Sequence, residues 1–577
     1  MDKKAVAAAL EEIALLSQLA GENPFKVRAY ESGARAVLTF PGDLGQAVRR
    51  GELSNIKGIG KSIAAVIAEL TEKDECRTLQ KLREKISPGL LELLQVPGLG
   101  PKKAKILHDK LQIGSLGELE YAIQENRLVS LPGFGAKTQD KLKAGLERVK
   151  RYAGLFRLGD LLPLAQELLE QLRRQEGILR AEMAGGVRRG LEVDDTIVLV
   201  AAIPEPEGSL SAYERLFTGF HVTPGLPAHL ETTFTKGMRF VLKLTNLETF
   251  GAAWLFGTGS PDHLDQLTEQ AAQGGLQLTP QGLFNQNRLL PSGQEEDIYR
   301  GLGLPFIPPE LREGLGEIEA ATQGKLPRLI QADDIQGCFH VHSYYSDGVN
   351  SLAELVGAAR ERGWKYLGLA DHSQSAYYAG GLKPPDLARQ KAELEDLRRD
   401  NPDFTVFWGI ESDILADGSL DYPDEVLRDF DFVIASVHSQ FLLPRESMTR
   451  RLIQAMGNPY CTMLGHVSGR LLLAREPYEV DLERILEFAG QHQVMVELNA
   501  SPYRLDLDWR WLRRAKDLGV LISINPDAHS LGDLDDMAYG VITARKGWLE
   551  PSEVLNTRPS EEVAALLRRR RQVRPTD

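Results

Sequence analysis

Seven short apolar runs, nearly all ending on a histidine or an acid, restrict this chain more than anything else in it. They are CFHVH (338–342), KYLGLADH (365–372), TVFWGIE (405–411), DFVIASVH (431–438), TMLGH (462–466), VMVEL (494–498) and LISINPDAH (521–529). Amphipathic stretches such as LAELVGAARERG and DLERILEFAGQH separate them. Alternation of this kind implies parallel strands joined by right-handed helical crossovers. Seven such units predict a closed or nearly closed barrel beginning at about residue 333. In such barrels the C-terminal strand ends share one face, where the chemistry sits. That brings His340, His342, Asp347, His372, Glu411, His438, His466, Asp527 and His529 into one pocket. Six of the chain's 11 histidines belong to this set.

The donor types point to a metal. His340 and His342, at i and i+2 of a strand, face the same side about 6.6 Å apart, and Asp527 and His529 repeat the spacing. Imidazole with carboxylate suits zinc, manganese or iron, and the lack of thiolates disfavours a structural zinc. Nine donors exceed what one ion takes, so two or three clustered divalent ions, manganese or zinc, are expected. That arrangement suits phosphoester hydrolysis. Glu411 is expected to bridge ions, and His438 to steady the transferring phosphoryl group. Asp347 lies in Ser346-Asp347-Gly348, where a turn role alone would also account for it.

The front of the chain has another organisation. Ile56-Lys57-Gly58-Ile59-Gly60-Lys61, Val96-Pro97-Gly98-Leu99-Gly100-Pro101-Lys102 and Leu131-Pro132-Gly133-Phe134-Gly135-Ala136-Lys137 are three copies of one glycine turn between helical stretches. Glycine permits backbone angles closed to other residues. It also lets a phosphate approach the free amides of the following helix. A lysine follows each time (Lys61, Lys102 and Lys137), so Gly58, Gly60, Gly98, Gly100, Gly133 and Gly135 with these lysines are the expected DNA-backbone contacts. Such contacts hold phosphates and read no sequence. The third copy has Gln139 where the others have Ala64 and Ala104.

Charge agrees with this division. The whole chain is at −13, yet residues 1–150 carry a net +5 and the remainder −18. A basic front on an acidic back suggests a polyanion-binding module joined to a part that collects cations. At roughly 100–200 residues per domain, 577 residues make several domains. Three cysteines form no disulfide framework or zinc ribbon. The N-terminus carries Glu11 and Glu12 within its apolar stretch, which makes it an amphipathic helix and not a signal peptide. A reducing cytoplasm is the expected setting, with no membrane partner.

His340-Val341-His342, Ser346-Asp347-Gly348, Asp371-His372-Ser373, Glu411, Ser436-Val437-His438-Ser439, Gly465-His466 and Asp527-Ala528-His529 resemble the polymerase-and-histidinol-phosphatase (PHP) domain. The middle of the chain has Ala184-Gly185-Gly186-Val187-Arg188-Arg189-Gly190, a strand at 195–200, Gly237-Met238-Arg239-Phe240-Val241-Leu242, and Phe250-Gly251-Ala252-Ala253 with Thr258-Gly259-Ser260. It resembles a nucleotidyltransferase palm and the start of a thumb. From about residue 1 to 560 the chain is similar to the bacterial family X DNA polymerases. The resemblance implies a multidomain fold. Residues 1–150 would form all-α helix-hairpin-helix domains and 151–315 an α+β nucleotidyltransferase-like palm and thumb. Residues 316–332 would be a linker and 333–577 an α/β PHP barrel of distorted seven-stranded form.

The same resemblance implies that two magnesium ions at the palm should be held by carboxylates. Read back from Val198-Leu199-Val200, the paired acids fall on Asp195 and Ile197, and the third on Val241. Counted forward from Arg189 without a gap, neither of the paired positions is Asp. Gly186 replaces the usual serine beside Arg189, and the lyase lysines fall on Val66 and Ser62. The palm is therefore expected to be degenerate at Gly186, Arg189, Asp195, Ile197 and Val241. The competing expectation is an unusual working site built from Glu192, Asp194 and Asp195.

These readings converge on a DNA-binding, metal-dependent 3′–5′ exonuclease or end-processing phosphoesterase in DNA repair, as the resemblance implies for such PHP domains. Its substrate would be gapped or 3′-ended duplex, and a monomer is expected. The alternatives are an active gap-filling polymerase with associated exonuclease, a non-catalytic DNA-binding scaffold, and a small-molecule phosphatase.

Overall fold

The computed structural model describes residues 3–570 except 41, 43, 57, 74–75, 87, 130, 132, 205–220, 224–227 and 234–236. Lys57 and Pro132 of the glycine turns therefore lie outside the described residues. Two compact units result, Met1–Ala153 and Gly154–Asp577.

The first unit is helical. Each glycine turn feeds a helix: Lys61–Lys73, Pro101–Leu111 and Ala136–Tyr152. Gly58, Gly98 and Gly133 have φ of +99°, +85° and +84°, which only glycine adopts readily. The apolar residue after each, Ile59, Leu99 or Phe134, is buried and anchors the turn. An added Cβ at Gly60, Gly100 or Gly135 would meet no atom within 4 Å, so this edge of each turn is open. Lys61, Lys102 and Lys137 are exposed beside it. Gln139 is buried and donates to Asn126 Oδ1 (2.7 Å), so the divergent third copy uses it inside the domain. Val66 is a core residue of this unit.

The second unit begins with a mixed sheet. Its strands are β1 (Arg180–Ala184), β2 (Thr196–Ala202), β3 (His221–Thr223), β4 (Ala228–Thr233) and β5 (Arg239–Thr245), in the order β1-β2-β5-β4-β3. Strands β2 and β5 run parallel, with Ile197 opposite Phe240 and Val198 opposite Val241. Ile197, Leu199, Phe240 and Leu242 pack on Leu158 and Leu161 of the helix Leu158–Arg173. Val198, Val200 and Ala202 cover the other face with Phe250 and Ala253.

This register decides which palm positions share a face. Side chains alternate across a sheet, so Ile197 and Val241 lie on opposite faces. Val241 shares its face with Thr196 and Val198 of β2 and, directly opposite on β4, with Glu231, whose carboxylate is paired with Arg239 Nε (2.8 Å). The expected linker also proves structured. Within 316–332, the helix Glu317–Thr322 is followed by buried Leu329 and Ile330, and Ile318, Ala321 and Leu329 belong to the core that contains Leu255 and Leu267.

The last part is a seven-stranded parallel sheet of β6 (Gly337–Val341), β7 (Tyr366–Leu369), β8 (Thr405–Asp413), β9 (Phe432–Ser436), β10 (Met463–Leu464), β11 (Met495–Asn499) and β12 (Ile522–Asn525), paired in sequence order. His342 N donates to Ala528 O (2.8 Å) and Ala528 N to His340 O (3.2 Å), which joins the last strand to the first. Phe339, Tyr366, Phe407, Phe432, Met463 and Met495 fill the interior, with Val563 and Leu567 of the terminal helix. Helices such as Leu352–Glu361 and Leu482–His492 cover the outside. Burial on both sides explains why the strands read as continuous apolar runs. No helix among the described residues is long and apolar enough to cross a membrane.

Candidate metal centre

A bulge starts the site. The pairing of β6 with β7 slips between Cys338 and Val341, and His340 has a φ of +58°. Two consecutive residues, Phe339 and His340, thereby serve the barrel interior, and His342 follows on the same side. The His340 and His342 rings stand 5.2 Å apart. At the far seam, β12 ends at Asn525 and Asp527 adopts a φ of +54°. Asp527 and His529 thus come from a turn, where a regular strand was expected.

Glu411 is the centre of the cluster. Its carboxylate lies 3.2 Å from His340 Nε2, 2.8 Å from His372 Nδ1, 3.3 Å from His438 Nε2 and 3.0 Å from His466 Nε2. Asp527 Oδ1 lies 3.2 Å from His342 Nε2 and 3.4 Å from His340 Nε2. Asp347 stands 3.6 Å from His372 Nε2 and 3.4 Å from His529 Nε2. The turn at Asp347 thus also delivers a carboxylate to the site. All nine residues fall into four overlapping groups whose ligand atoms lie within 4.8 Å of one another.

A divalent cation fits these groups. His340 Nε2, His342 Nδ1, His372 Nδ1 and Glu411 Oε2 are buried and have no hydrogen-bond partner among the described residues. Such atoms are costly to leave bare, and a cation would take up their lone pairs. The electrostatics are those of a tightly coupled cluster. Burial alone would lower His340, but Glu497, Asp527 and Glu411 raise it well above the ordinary imidazole range. Burial likewise opposes protonation of His438, yet Glu411 and Asp413 push it up to about 10. His342 is pulled down to about 3 by burial and by neighbouring His372. Burial would raise Glu411, but His438, His340 and His372 hold it well below the usual carboxylate range.

Beyond the nine, two further carboxylates support the histidines and a third holds the Asp347 turn. Glu497, fully buried on β11, accepts from His340 Nδ1 (2.5 Å), His466 N (2.6 Å) and Asn525 Nδ2 (2.9 Å). Its signal was available, because VMVEL places Glu497 on the interior face by alternation. Asp413 accepts from His438 Nδ1 (2.6 Å) and Ser375 Oγ (2.8 Å). Asp371 accepts from Ser343 Oγ (2.7 Å), Ser346 Oγ (2.5 Å) and Gln390 Nε2 (2.6 Å), which ties the Asp347 turn to β7. Partners of this kind fix the tautomer and orientation of a ligand. Glu497→Gln is expected to weaken manganese binding by about 10–100-fold, measured by titration of the metal-free protein.

The palm presents a contrast. Arg188 is bound by Glu295 through both terminal nitrogens (2.8 and 2.7 Å), and Arg189 Nε by Glu313 (2.9 Å). Both guanidiniums are therefore taken by internal carboxylates. A Cβ on Gly186 would lie 1.9 Å from Asp194 Oδ2, so the Asp194 carboxylate occupies the space of the missing serine side chain. Glu192 is buried against Trp509 Nε1 (2.9 Å) and Arg510 Nη1 (2.8 Å) and fastens the palm to the barrel. Asp195 is half exposed, 3.7 Å from Arg239.

A parallel barrel rimmed by imidazoles and acids, on a chain with glycine hairpins and a polymerase-type palm, defines a PHP domain within a DNA polymerase architecture. Comparisons with known families agree. Residues 1–76 match the helix-hairpin-helix domain and 90–148 the SAM-like helix-hairpin-helix tandem. Residues 253–313 match the DNA polymerase beta thumb and 339–501 the PHP domain. The chain is 34% identical over 582 residues to the DNA polymerase/3′-5′ exonuclease PolX of Bacillus subtilis, covering 99% of this chain and 100% of that protein. Probable phosphatases of Caldanaerobacter subterraneus and Vibrio campbellii are each 27% identical, over 34% and 40% of this chain and 76% and 90% of their own lengths. The protein belongs to the bacterial family X DNA polymerases that carry a C-terminal PHP domain. It is a DNA-binding repair enzyme with side-chain clusters able to hold metal.

Proposed function

We propose that this protein is a metal-dependent 3′–5′ exonuclease or end-processing phosphoesterase whose polymerase activity has been lost. One contrast carries the reading. The barrel gathers nine donors, four of them with a buried atom that has no hydrogen-bond partner among the described residues, whereas Val241 is flanked by Val198 and by Glu231, which is held by Arg239, and the palm's Arg188 and Arg189 are internally paired.

His340, His342, Asp347, His372, Glu411, His438, His466, Asp527 and His529 would hold two or three divalent ions, manganese or zinc. Such ions supply Lewis-acid charge to phosphoryl oxygens and lower the pKa of water. Glu497 and Asp413 orient His340 and His438. His438 Nε2, next to Glu411, stabilises the phosphoryl group in transfer. Gly58, Gly60, Lys61 and their counterparts hold the DNA backbone. The proposed division is 1–150 for DNA binding, 151–315 for an inactive palm and thumb, and 333–577 for the phosphoesterase.

The test is one gapped duplex assayed with and without nucleotides. Mn²⁺-dependent shortening of the primer is expected in both, lost when His340→Ala is combined with His342→Ala. Extension with Mg²⁺ and nucleotides would restore the polymerase reading. Shortening that persists in the double variant would refute the site assignment.

A further inference from the structure

Arg504 lies on the loop after β11, at the barrel end where the nine donors meet. Its Nε stands 3.6 Å from Asp527 Oδ2, and its side chain is 18% exposed. Its Nη1 is buried and has no hydrogen-bond partner among the described residues. A guanidinium presents five charged donors in a rigid fork, so a buried donor without an acceptor is costly. A separation of 3.6 Å is too long for a hydrogen bond.

The neighbouring arginines are employed differently. Arg451 donates to the carbonyls of Leu415 (2.8 Å) and Ser439 (2.9 Å). Arg470 donates to the carbonyls of Arg504 (2.9 Å) and Leu505 and pairs with Asp508 (2.6 Å). Both hold backbone in place. The loop is also held from the palm side, where the Arg157 guanidinium stacks 3.9 Å from the centre of the Tyr503 ring. A Cβ at Gly159 would meet Pro502 Cβ at 2.5 Å, so that approach is close as well. A backbone held from two sides presents the Arg504 side chain in one place, beside Asp527.

Two roles fit an arginine there. As counter-ion to Asp527 alone, it would turn its donors onto that carboxylate, yet Nη1 is bare and Nε stands off. Asp527 already has His342 Nε2 at 3.2 Å and Asn499 Nδ2 at 3.1 Å. As a receptor for an outside anion, it would keep donors unspent next to the cation ligands. Paired phosphoryl oxygens match the guanidinium fork.

We propose that Arg504 is the anion clamp of this centre, binding a non-bridging oxygen of the substrate's phosphate group through its unpaired guanidinium edge. The proposal rests on the phosphoesterase reading above and adds to it a substrate-contacting residue outside the nine donors.

Inorganic phosphate, titrated calorimetrically into the manganese-loaded full-length protein, tests it. Metal content and thermal stability are measured in parallel. Arg504→Ala is expected to weaken phosphate binding by about 10–100-fold with manganese content unchanged. Arg504→Lys should recover part of the loss, since an ammonium keeps the charge without the fork. Unchanged phosphate binding in Arg504→Ala would overturn the proposal, and so would loss of manganese in that variant, because Arg504 would then serve Asp527. A wild type that shortens DNA while Arg504→Ala binds phosphate normally removes the clamp alone. A wild type that neither shortens DNA nor binds phosphate removes the clamp and the phosphoesterase reading together.

Discussion

Glu411→Gln is expected to reduce DNA shortening by on the order of 10³-fold, a loss of several kcal/mol of charge stabilisation. Bound manganese should fall by at least one ion per chain. The substitution keeps the shape of the side chain and removes its charge. In the native protein four imidazoles stand within 3.3 Å of that carboxylate, and it is only 1% exposed. The effect of the change therefore spreads to His340, His372, His438 and His466 at once. Elemental analysis combined with single-turnover kinetics separates the contributions. If manganese content and rate both survive, Glu411 does not bridge the centre.

Glu295→Gln should be the most destabilising single change in the thumb. Glu295 is fully buried between two arginines, receiving Arg188 at 2.8 and 2.7 Å and Arg312 at 2.5 and 3.0 Å. Arg312 has no exposure either. Removing the shared carboxylate deprives two guanidiniums of the only carboxylate they are bonded to among the described residues, a loss of about 3–5 kcal/mol. The pH dependence has a definite sign. Burial would raise the Glu295 carboxyl, but Arg312 and Arg188 hold it down at about 2, against an ordinary 4.5. A depressed carboxyl contributes stability that is fully present above its unfolded value and lost as pH falls through the folded one. Stability should thus decline between about pH 4.5 and about pH 2, and Glu295→Gln should flatten that slope. Denaturant titrations across this range check both statements. An undiminished slope in the variant would show that other carboxylates govern acid unfolding.

How far the sequence reached differs between the two ends of the chain. The barrel strands were legible because each is a continuous apolar run, the pattern left by burial on both faces. Their C-terminal acids and histidines were legible because parallel connectivity puts those ends on one rim. The glycine turns were legible because a positive φ at Gly58, Gly98 and Gly133 requires that residue type. Glu497 was less legible, although alternation places it inside, because it stands within an apolar run and not at its end. Arg504 carried no signal, since an arginine in a loop is ordinary until its donors are seen to lack acceptors.

By itself the sequence determined the barrel, its rim of donors and the three hairpin turns, since these follow from local periodicity and backbone chemistry. Only the tertiary structure decided the palm. The parallel pairing of β2 with β5 sets Val198, and not Ile197, opposite Val241. Arg188 meets Glu295 across 107 residues and Arg189 meets Glu313 across 124. Register and ion pairing over such separations are chosen by packing between distant segments, and no local pattern of residues encodes them.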